Sequence, residues 1–244
     1  MMRIDLFVTP QEIPLFYTKG RRVVIVDVLR AGTTLCYALQ SGAEKIIPVD
    51  SIEEAKQILA TLDRESSLLA GEQDGQKLEG FDLGNSPSEV QSAGLAGKTI
   101  VFVSDDVGPL LSRSMEAVEK LLLSFTNVGA VVDYLLDSGD QELTVICAGS
   151  GGRFAMEDAL AAGMLIDRLG PVEDDSELND AARACWILYL AHRRNLARAV
   201  RTSAAGRTLR EKEADGDVSL ALQVDSTPFV PLVRDGRIVR GTAE

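Results

Sequence analysis

Acidic side chains follow directly after several apolar stretches of this 244-residue chain. The stretch Val23 to Val26 is typical of a buried strand, and Asp27 closes it. An acid joined to so apolar a strand needs a partner, because an unpaired buried carboxylate lowers stability. Several carboxylates at one edge of a sheet favour a hard cation such as Mg²⁺ over zinc. The acids concerned are Asp27, Glu72, Asp82, Asp105, Asp106, Glu157 and Asp158.

Most of these acids, taken singly, also have an ordinary structural explanation. Glu157 and Asp158 stand where they would complement the dipole of a helix, and Asp105 or Asp106 where it would cap one. Glu72 equally suits an exposed turn. Asp27 is the exception, since neither a cap nor a turn explains an acid at that position.

Two loops are suited to holding an anion. The first begins at Arg30 and supplies a guanidinium group, the hydroxyls of Thr33 and Thr34, and the free amides of a helix N-terminus, which together suit a phosphate or sulfonate. The second runs from Gly149 to Arg153, also before a helix. It is not a dinucleotide fingerprint, because the glycine spacing fails and no ribose-binding acid follows at the required distance.

The turn from Gly80 to Pro87 is the most distinctive segment of the sequence. Its two glycines allow backbone angles closed to other residues, and Asp82 and Asn85 supply oxygens for a ligand or for hydrogen bonds. Ser86 to Glu89 matches a helix capping box with proline at the first helical position. An ordinary loop leading into a helix explains the same residues equally well.

Strand-like and helix-like segments alternate along the chain, and this alternation predicts the fold. We expect one α/β domain over residues 1–244, with three α/β/α layers, a mostly parallel or mixed central sheet, and a C-terminal helix plus hairpin. Such sheets bind ligands beyond the carboxyl ends of their strands, where the acids lie. The predicted strands are 22–27, 45–49, 67–70, 99–103, 121–125 and 143–147, followed by a strand-like region 218–239 that contains a hairpin with Asp235-Gly236 at its tip. The predicted helices are 33–40, 51–62, 107–120, 128–137, a segment ending at 169, and 180–201, with an acidic turn at 172–177.

The charge balance limits the classes of partner. Lys and Arg number 25 against 37 Asp and Glu, a net charge of −12, which argues against nucleic acid or an anionic membrane as the main partner. No apolar run approaches the roughly 18 residues of a membrane span, and an early acid interrupts any secretion signal, so we expect a cytoplasmic protein. The three cysteines are too scattered for a disulfide framework or a zinc site, and His192, the single histidine, suits a solvated helix surface.

Several of these segments, taken together, resemble one known family. They are Asp27–Thr34, Gly71-Glu72, Gly80–Pro87, Cys147–Gly149, Arg153–Asp158 and Ala162-Gly163. The family is that of the 2-phosphosulfolactate phosphatases, the ComB-like proteins, and the similarity runs from about residue 27 to residue 231. The resemblance implies an α/β/α fold and a magnesium-dependent phosphatase that converts 2-phosphosulfolactate into sulfolactate and phosphate, a step towards coenzyme M.

The resemblance also implies roles for individual residues, with a small anionic phosphorylated molecule as substrate. Asp27, Arg30 and Asp82 would be catalytic, although Asp27 as ligand, base or nucleophile stays open. Leu29 counts against the haloacid-dehalogenase mechanism, which places a second acid at that position. The implied Mg²⁺ ligands are Asp27, Glu72, Asp82, Glu157 and Asp158, and the implied substrate-binding residues are Arg30, Thr33, Thr34, Asn85, Gly149 and Arg153. A homodimer stays open as the assembly.

Three departures from the family pattern support a second interpretation. Gln73 stands where an arginine is expected, Ser104 to Gly108 replaces an Asn-Gly-Thr turn, and Ala205 replaces a histidine. Each change removes a cation or a hydrogen-bonding group. The acids that would bind a metal match the family pattern better than the residues that would recognise the substrate. The alternative is therefore a catalytically impaired member of the family that binds an anion or a partner protein.

Overall fold

Ten strands form one mixed sheet in the computed structural model, which describes residues 2–14, 16–73, 75–139, 141–170 and 178–241. The order across the sheet is β1-β8-β2-β7-β9-β10-β3-β6-β4-β5. The predicted turn at 172–177 lies outside the described residues. The strands are β1 (Arg3–Phe7), β2 (Arg22–Val26), β3 (Lys45–Val49), β4 (Ser67–Gln73), β5 (Gln76–Lys77), β6 (Thr99–Val103), β7 (Glu119–Leu123), β8 (Glu142–Cys147), β9 (Val230–Arg234) and β10 (Arg237–Gly241).

The sheet consists of two parallel halves joined by a hairpin. β1, β8, β2 and β7 are parallel in one half, and β3, β6 and β4 are parallel in the other. β9 and β10 pair antiparallel with each other, β9 with β7, and β10 with β3, so the two halves run in opposite directions. A twist of roughly 20–25° per strand accumulates to on the order of 100° between β2 and β6. Residues at or after the carboxyl ends of strands from both halves line one cleft, as a twist of this size allows.

Helices cover both faces of the sheet and confirm the predicted three layers. Apolar residues of α1, α3 and α4 pack on one face, while α5 and α6 cover the first half of the other face and α2 its second half. No helix in the described part of the chain is both long enough and apolar enough to cross a membrane. The helices are α1 (Ala31–Gln40), α2 (Ile52–Leu59), α3 (Pro87–Gln91), α4 (Val107–Arg113), α5 (Val128–Ser138), α6 (Met156–Leu169), α7 (Asp180–His192), α8 (Leu196–Thr202), α9 (Ala204–Glu211) and α10 (Asp215–Ala221).

Local sequence signals account for several element boundaries. Ser51 caps α2 as predicted, since its hydroxyl accepts a hydrogen bond from the Glu54 amide at 3.1 Å. The hairpin turns at Asp235 and Gly236, whose φ angles of 50° and 72° suit the tight turns that such pairs form. The hairpin itself was predicted, but its place in the middle of the sheet was not.

Several elements differ from the sequence-based predictions, and α9 and β5 were not among the predicted elements. The helix predicted to reach residue 120 ends at Arg113, where the Ser114 hydroxyl donates to the Leu110 carbonyl at 2.6 Å and β7 follows. Residues 218–221 belong to α10, although they had been predicted to be strand-like. The long helix predicted over 180–201 is interrupted by a 3₁₀ turn at 193–195. β1 was not predicted.

Gly163 allows α6 and α7 to pack closely. A Cβ added at Gly163 would lie 2.2 Å from the backbone oxygen of Cys185 and 2.7 Å from the Cβ of Tyr189. We expect Gly163→Ala to push the helices apart and lower the free energy of unfolding by about 1–3 kcal/mol, measured by thermal or denaturant unfolding. Gly216→Ala is the matched control, because its added Cβ would meet only the Ser88 hydroxyl at 3.4 Å. Equal stability of the two variants would contradict this account of the packing.

Candidate active site

A cleft of about 300 Å³ opens beyond the carboxyl ends of strands from both halves of the sheet. Four of its walls follow strands β2, β4, β6 and β8, and the fifth is one face of α9. The two anion loops and three of the predicted acids, Glu72, Asp105 and Asp106, line it, and Asp27 lies directly behind it. The lining residues are Leu29, Arg30, Glu72, Gly75, Ser104, Asp105, Asp106, Ser150, Gly151, Ala204, Ala205, Thr208, Leu209 and Lys212.

Arg30 is held between two carboxylates at the side of this cleft. Its Nη1 donates to Asp217 Oδ2 at 3.0 Å, and its Nη2 donates to Glu72 Oε2 and to the Gly75 carbonyl, the latter at 3.4 Å. The Arg30 side chain is 10% exposed. The peptide bond that precedes it is cis. Two opposed ion pairs fix both the plane and the direction of the guanidinium group.

The turn 80–87 donates hydrogen bonds to Glu72 and Asp217, the two carboxylates that pair with Arg30. Asn85 Nδ2 donates to Glu72 Oε1 at 2.6 Å, and the Ser86 hydroxyl donates to Asp217 Oδ1 at 2.7 Å. The Ser88 amide, in the first turn of α3, reaches the same Asp217 oxygen at 3.3 Å. No residue of the turn 80–87 is among the lining residues of the cleft, so the turn contributes to the site through Glu72 and Asp217.

Asp27 is buried behind the cleft, with 4% of its surface exposed. Burial raises its pKa well above the ordinary value, and the charges of Asp106, Glu72 and Glu157 raise that pKa further. The Gly32 amide, at the start of α1, donates to the Asp27 carboxylate and acts in the opposite direction. Glycine is required at position 32 because a Cβ there would lie 2.1 Å from the Asp27 carbonyl oxygen.

Asp106 completes the group of crowded acids. Burial raises its pKa from 3.8 to about 6, and the charges of Asp105 and Glu72 contribute in the same direction. The Gly151 amide opposes this shift by donating to Asp106 Oδ1 at 3.2 Å. The loop after β8 therefore contacts the loop after β6 across the cleft.

Asp158 joins the two loops that follow β2 and β8. Its Oδ1 accepts the Val28 amide at 2.8 Å and its Oδ2 accepts the Gly149 amide at 2.9 Å, within the core. Burial raises the pKa of Asp158, and the charges of Asp27 and Glu157 add to the effect. Burial also raises the pKa of Glu157, whose carboxylate is hydrogen-bonded to Ser203 at the start of α9. Both acids are 2% exposed. Through these hydrogen bonds they connect the segments that line the cleft.

The structure places the Asp82 carboxylate away from the cleft. Its Oδ1 accepts Arg64 Nη2 at 2.7 Å, and its Oδ2 accepts the Leu69 amide at 2.8 Å. Partial burial raises the pKa of Asp82, but the hydrogen bonds from Arg64 and Leu69 outweigh this effect and leave the pKa below its ordinary value. Asp82 ties the turn to β4 in this arrangement.

The predicted substrate-binding residues divide between the cleft and the protein interior. Arg30 lines the cleft, and the loop after Gly149 does so through Ser150 and Gly151. Thr33 donates to the Val28 carbonyl at 2.7 Å, and Thr34 is buried with no hydrogen-bond partner for its hydroxyl among the described residues. Arg153 is exposed and is not among the lining residues, and Asn85 contacts Glu72 as described above.

Lys212 and Asp217 were missed by the sequence analysis. Lys212 lines the cleft from the end of α9, and its Nζ lies beside Gly75, within 2.7 Å of where an added Cβ would stand. No motif marks either residue, and Asp217 stands directly before the region 218–239, which had been predicted to be strand-like. An acid directly before the apolar pair Val218 and Leu220 was the only available signal.

The cleft offers the donor chemistry of a hard divalent cation. Asp27, Glu72 and Asp106 are carboxylates close enough for each to feel another's charge, and a cation would relieve that repulsion. Among the described residues, no three His, Cys, Asp or Glu side chains are arranged to hold a metal ion by themselves. This arrangement fits Mg²⁺, which commonly takes one or two carboxylates and completes its shell with water and phosphate oxygens.

Comparison with known proteins gives one consistent family. A family model described as 2-phosphosulpholactate phosphatase matches residues 7–236. A protein of Caldanaerobacter subterraneus subsp. tengcongensis, named probable 2-phosphosulfolactate phosphatase, is 36% identical over 222 residues, or 91% of each chain. Proteins with the same name from Clostridium beijerinckii and Thermotoga petrophila are 29% identical over 237 residues and 41% identical over 164 residues, covering 97% and 67% of this chain and 99% and 67% of their own.

The pKa of Asp106 predicts how the stability of the metal-free protein depends on pH. Between its ordinary pKa of 3.8 and about 6, the folded protein retains a proton that the unfolded chain has released, so stability falls as the pH rises through this range. We expect Asp106→Asn to stabilise the protein in EDTA at pH 7.5, by on the order of 1 kcal/mol after allowance for solvent screening. The gain should shrink towards pH 4.5.

Thermal unfolding across this pH range measures the effect. Asp133→Asn, at an exposed acid on α5, is the control and should show no comparable gain at pH 7.5. Loss of stability in Asp106→Asn at pH 7.5 would contradict the crowding of charges at the cleft.

Proposed function

The chain belongs to the 2-phosphosulfolactate phosphatase family, a family of phosphoric monoester hydrolases, and we propose that it releases phosphate from 2-phosphosulfolactate with the help of Mg²⁺. The product would be sulfolactate, as in the family's step towards coenzyme M. One observation supports the chemistry most directly. Crowded carboxylates and two cationic side chains, Arg30 and Lys212, lie at the same cleft.

The charge pattern explains why a cation is needed. A phosphate ester entering the cleft would face Glu72, Asp105 and Asp106, with Asp27 behind them, and these acids would repel it. Asp27 and Asp106 would hold the Mg²⁺ ion, with Glu72 adding negative charge beside it and with water and phosphate oxygens completing the shell. When bound, such an ion polarises phosphoryl oxygens and lowers the pKa of coordinated water. Asp82 is left out of the acids at the ion site because it does not line the cleft, and because Arg64 and the Leu69 amide hold its carboxylate.

The protein's own groups would orient the ester and balance its charge. The Arg30 guanidinium, fixed by Glu72 and Asp217, faces the cleft and would neutralise charge on the phosphoryl group as the ester bond breaks. Lys212 and Arg30 both lie beside Gly75, so they would share the negative charges of a substrate that carries more than one acid. Ala204 and Ala205, the first residues of α9, line the same space.

The proposed function is tested by phosphate release from 2-phosphosulfolactate and from p-nitrophenyl phosphate, with Mg²⁺ and with EDTA. We expect release only with Mg²⁺, and we expect Asp27→Asn to lower turnover by roughly 100-fold or more, since it removes a charge from the ion site. Mg²⁺ should also raise the melting temperature of the wild type and not of Asp27→Asn. Asp82→Asn should lower turnover by less than about 10-fold, because its carboxylate serves the turn and not the ion.

One control variant and two contrary outcomes make the result interpretable. Asp133→Asn on α5 removes an exposed acid far from the cleft and should retain both turnover and the Mg²⁺ response. A folded wild type that releases no phosphate from either compound, with Mg²⁺ or Mn²⁺, would favour the alternative of an impaired family member that binds an anion. A larger loss in Asp82→Asn than in Asp27→Asn would return Asp82 to the ion site.

Lys212 predicts a difference between substrates. We expect Lys212→Met to raise the KM for 2-phosphosulfolactate by about 10-fold with little change in kcat, because a charge-assisted contact to an acidic group of the substrate is lost. The KM for p-nitrophenyl phosphate, which has no second acid, should change by less than about 2-fold. Steady-state kinetics gives KM and kcat of the variant and the wild type for both compounds. Equal effects on both substrates would contradict a role in substrate recognition.

A further inference from the structure

Asp217 lies behind Arg30 on α10, 187 positions later in the chain. Its side chain is 3% exposed. Three donors reach it: Arg30 Nη1 on Oδ2 at 3.0 Å, and the Ser86 hydroxyl and Ser88 amide on Oδ1 at 2.7 Å and 3.3 Å. A buried carboxylate with this number of donors is held in one orientation. Because Ser86 and Ser88 occupy one oxygen, the other is presented to Arg30.

Glu72 is arranged in the same way on the other side of the guanidinium. Asn85 Nδ2 donates to Oε1 at 2.6 Å, which leaves Oε2 for Arg30 Nη2. Each of the two carboxylates that hold Arg30 is therefore oriented by one of two consecutive residues, Asn85 and Ser86. The turn that carries them is fixed to β4, where Asp82 accepts the Leu69 amide and Leu83 pairs with Ala70.

We infer that Asp217 is a positioning residue for Arg30 and that the turn 80–87 serves the reaction by orienting both of that arginine's partners, an inference that rests on the proposed function. Arginine has many side-chain conformations, and holding one of them in advance spares that cost when an anion binds. Neither Asp217 nor Ser86 lines the cleft, so each acts on the substrate only through Arg30.

A double-mutant cycle tests the inference. Asp217→Asn and Ser86→Ala are each made in the wild type and in Arg30→Ala, and kcat/KM for 2-phosphosulfolactate is measured together with the affinity for inorganic phosphate by calorimetry in Mg²⁺. With Arg30 present, we expect Asp217→Asn to lower both quantities by about 10- to 100-fold, as removal of residues that orient a functional group commonly does. In Arg30→Ala, the same change should cost less than about 3-fold.

Asp215→Asn is the matched control, because Asp215 lies on the same helix and pairs with Arg201 instead of Arg30. It should change neither quantity by more than about 2-fold in either background. Ser86→Ala keeps the Asp217 charge and should lose several-fold in the wild type and almost nothing in Arg30→Ala. This milder variant carries the test if thermal unfolding shows that Asp217→Asn does not fold.

The outcomes separate this inference from the proposed function. Equal losses from Asp217→Asn or Ser86→Ala in both backgrounds would overturn it, since a purely structural role does not depend on Arg30. If the wild type binds phosphate but shows no turnover, the proposed function fails. The double-mutant cycle measured on phosphate affinity then still tests whether Asp217 and Ser86 act through Arg30. A wild type that neither binds phosphate nor turns over substrate would overturn both.

Discussion

Repulsion between buried carboxylates constrains the whole cleft. The charges of Asp106, Glu72 and Glu157 raise the pKa of Asp27, and the charge of Glu72 also raises the pKa of Asp106. Asp158 lies behind Asp27 and repels it in turn. Hydrogen-bond donors stabilise part of this negative charge. Each of four backbone amides donates to one of these acids; they belong to Gly32, Val28, Gly149 and Gly151. Arg30 lies between Glu72 and Asp217. The remaining charge is the part that a divalent ion would neutralise. If the protein binds Mg²⁺ as proposed, ion binding would be coupled to the loop positions and to the conformation of Arg30.

The fold was predictable where local chemistry decides it. β3 and β6 begin and end at the predicted residues, and Ser51 caps α2, because apolar runs and capping side chains act within a few residues. The arrangement of the sheet was not predictable in this way. β9 and β10 lie between β7 and β3 because of pairings across more than 100 residues, and the reversal of the two halves follows from that insertion. α10 was missed because its short apolar pattern suits a strand as well as a helix.

In the candidate site, too, local sequence indicates some residues, while long-range packing decides the others. Arg30, Glu72 and Asp27 were predicted because each ends an apolar strand or lies in the loop after one, a position that open α/β sheets use for ligands. Lys212 and Asp217 join the site through the packing of α9 and α10, which no motif near them in sequence indicates. Asp82 has the residue type of a metal ligand, but Arg64, 18 positions earlier, forms its ion pair. Residue type and turn position alone do not identify the partner of an acid.

The central hairpin has a consequence for how the chain folds during synthesis. Before residues 230–241 have been made, β7 and β3 each expose an unpaired backbone edge, and each half of the sheet can assemble only separately. Pairings between such distant segments form slowly, because long loops must close first. We therefore expect the nascent protein to pass through a stage with two preformed halves and open edges prone to association. The arrival of one late hairpin would then join the halves and, with them, the two sides of the cleft.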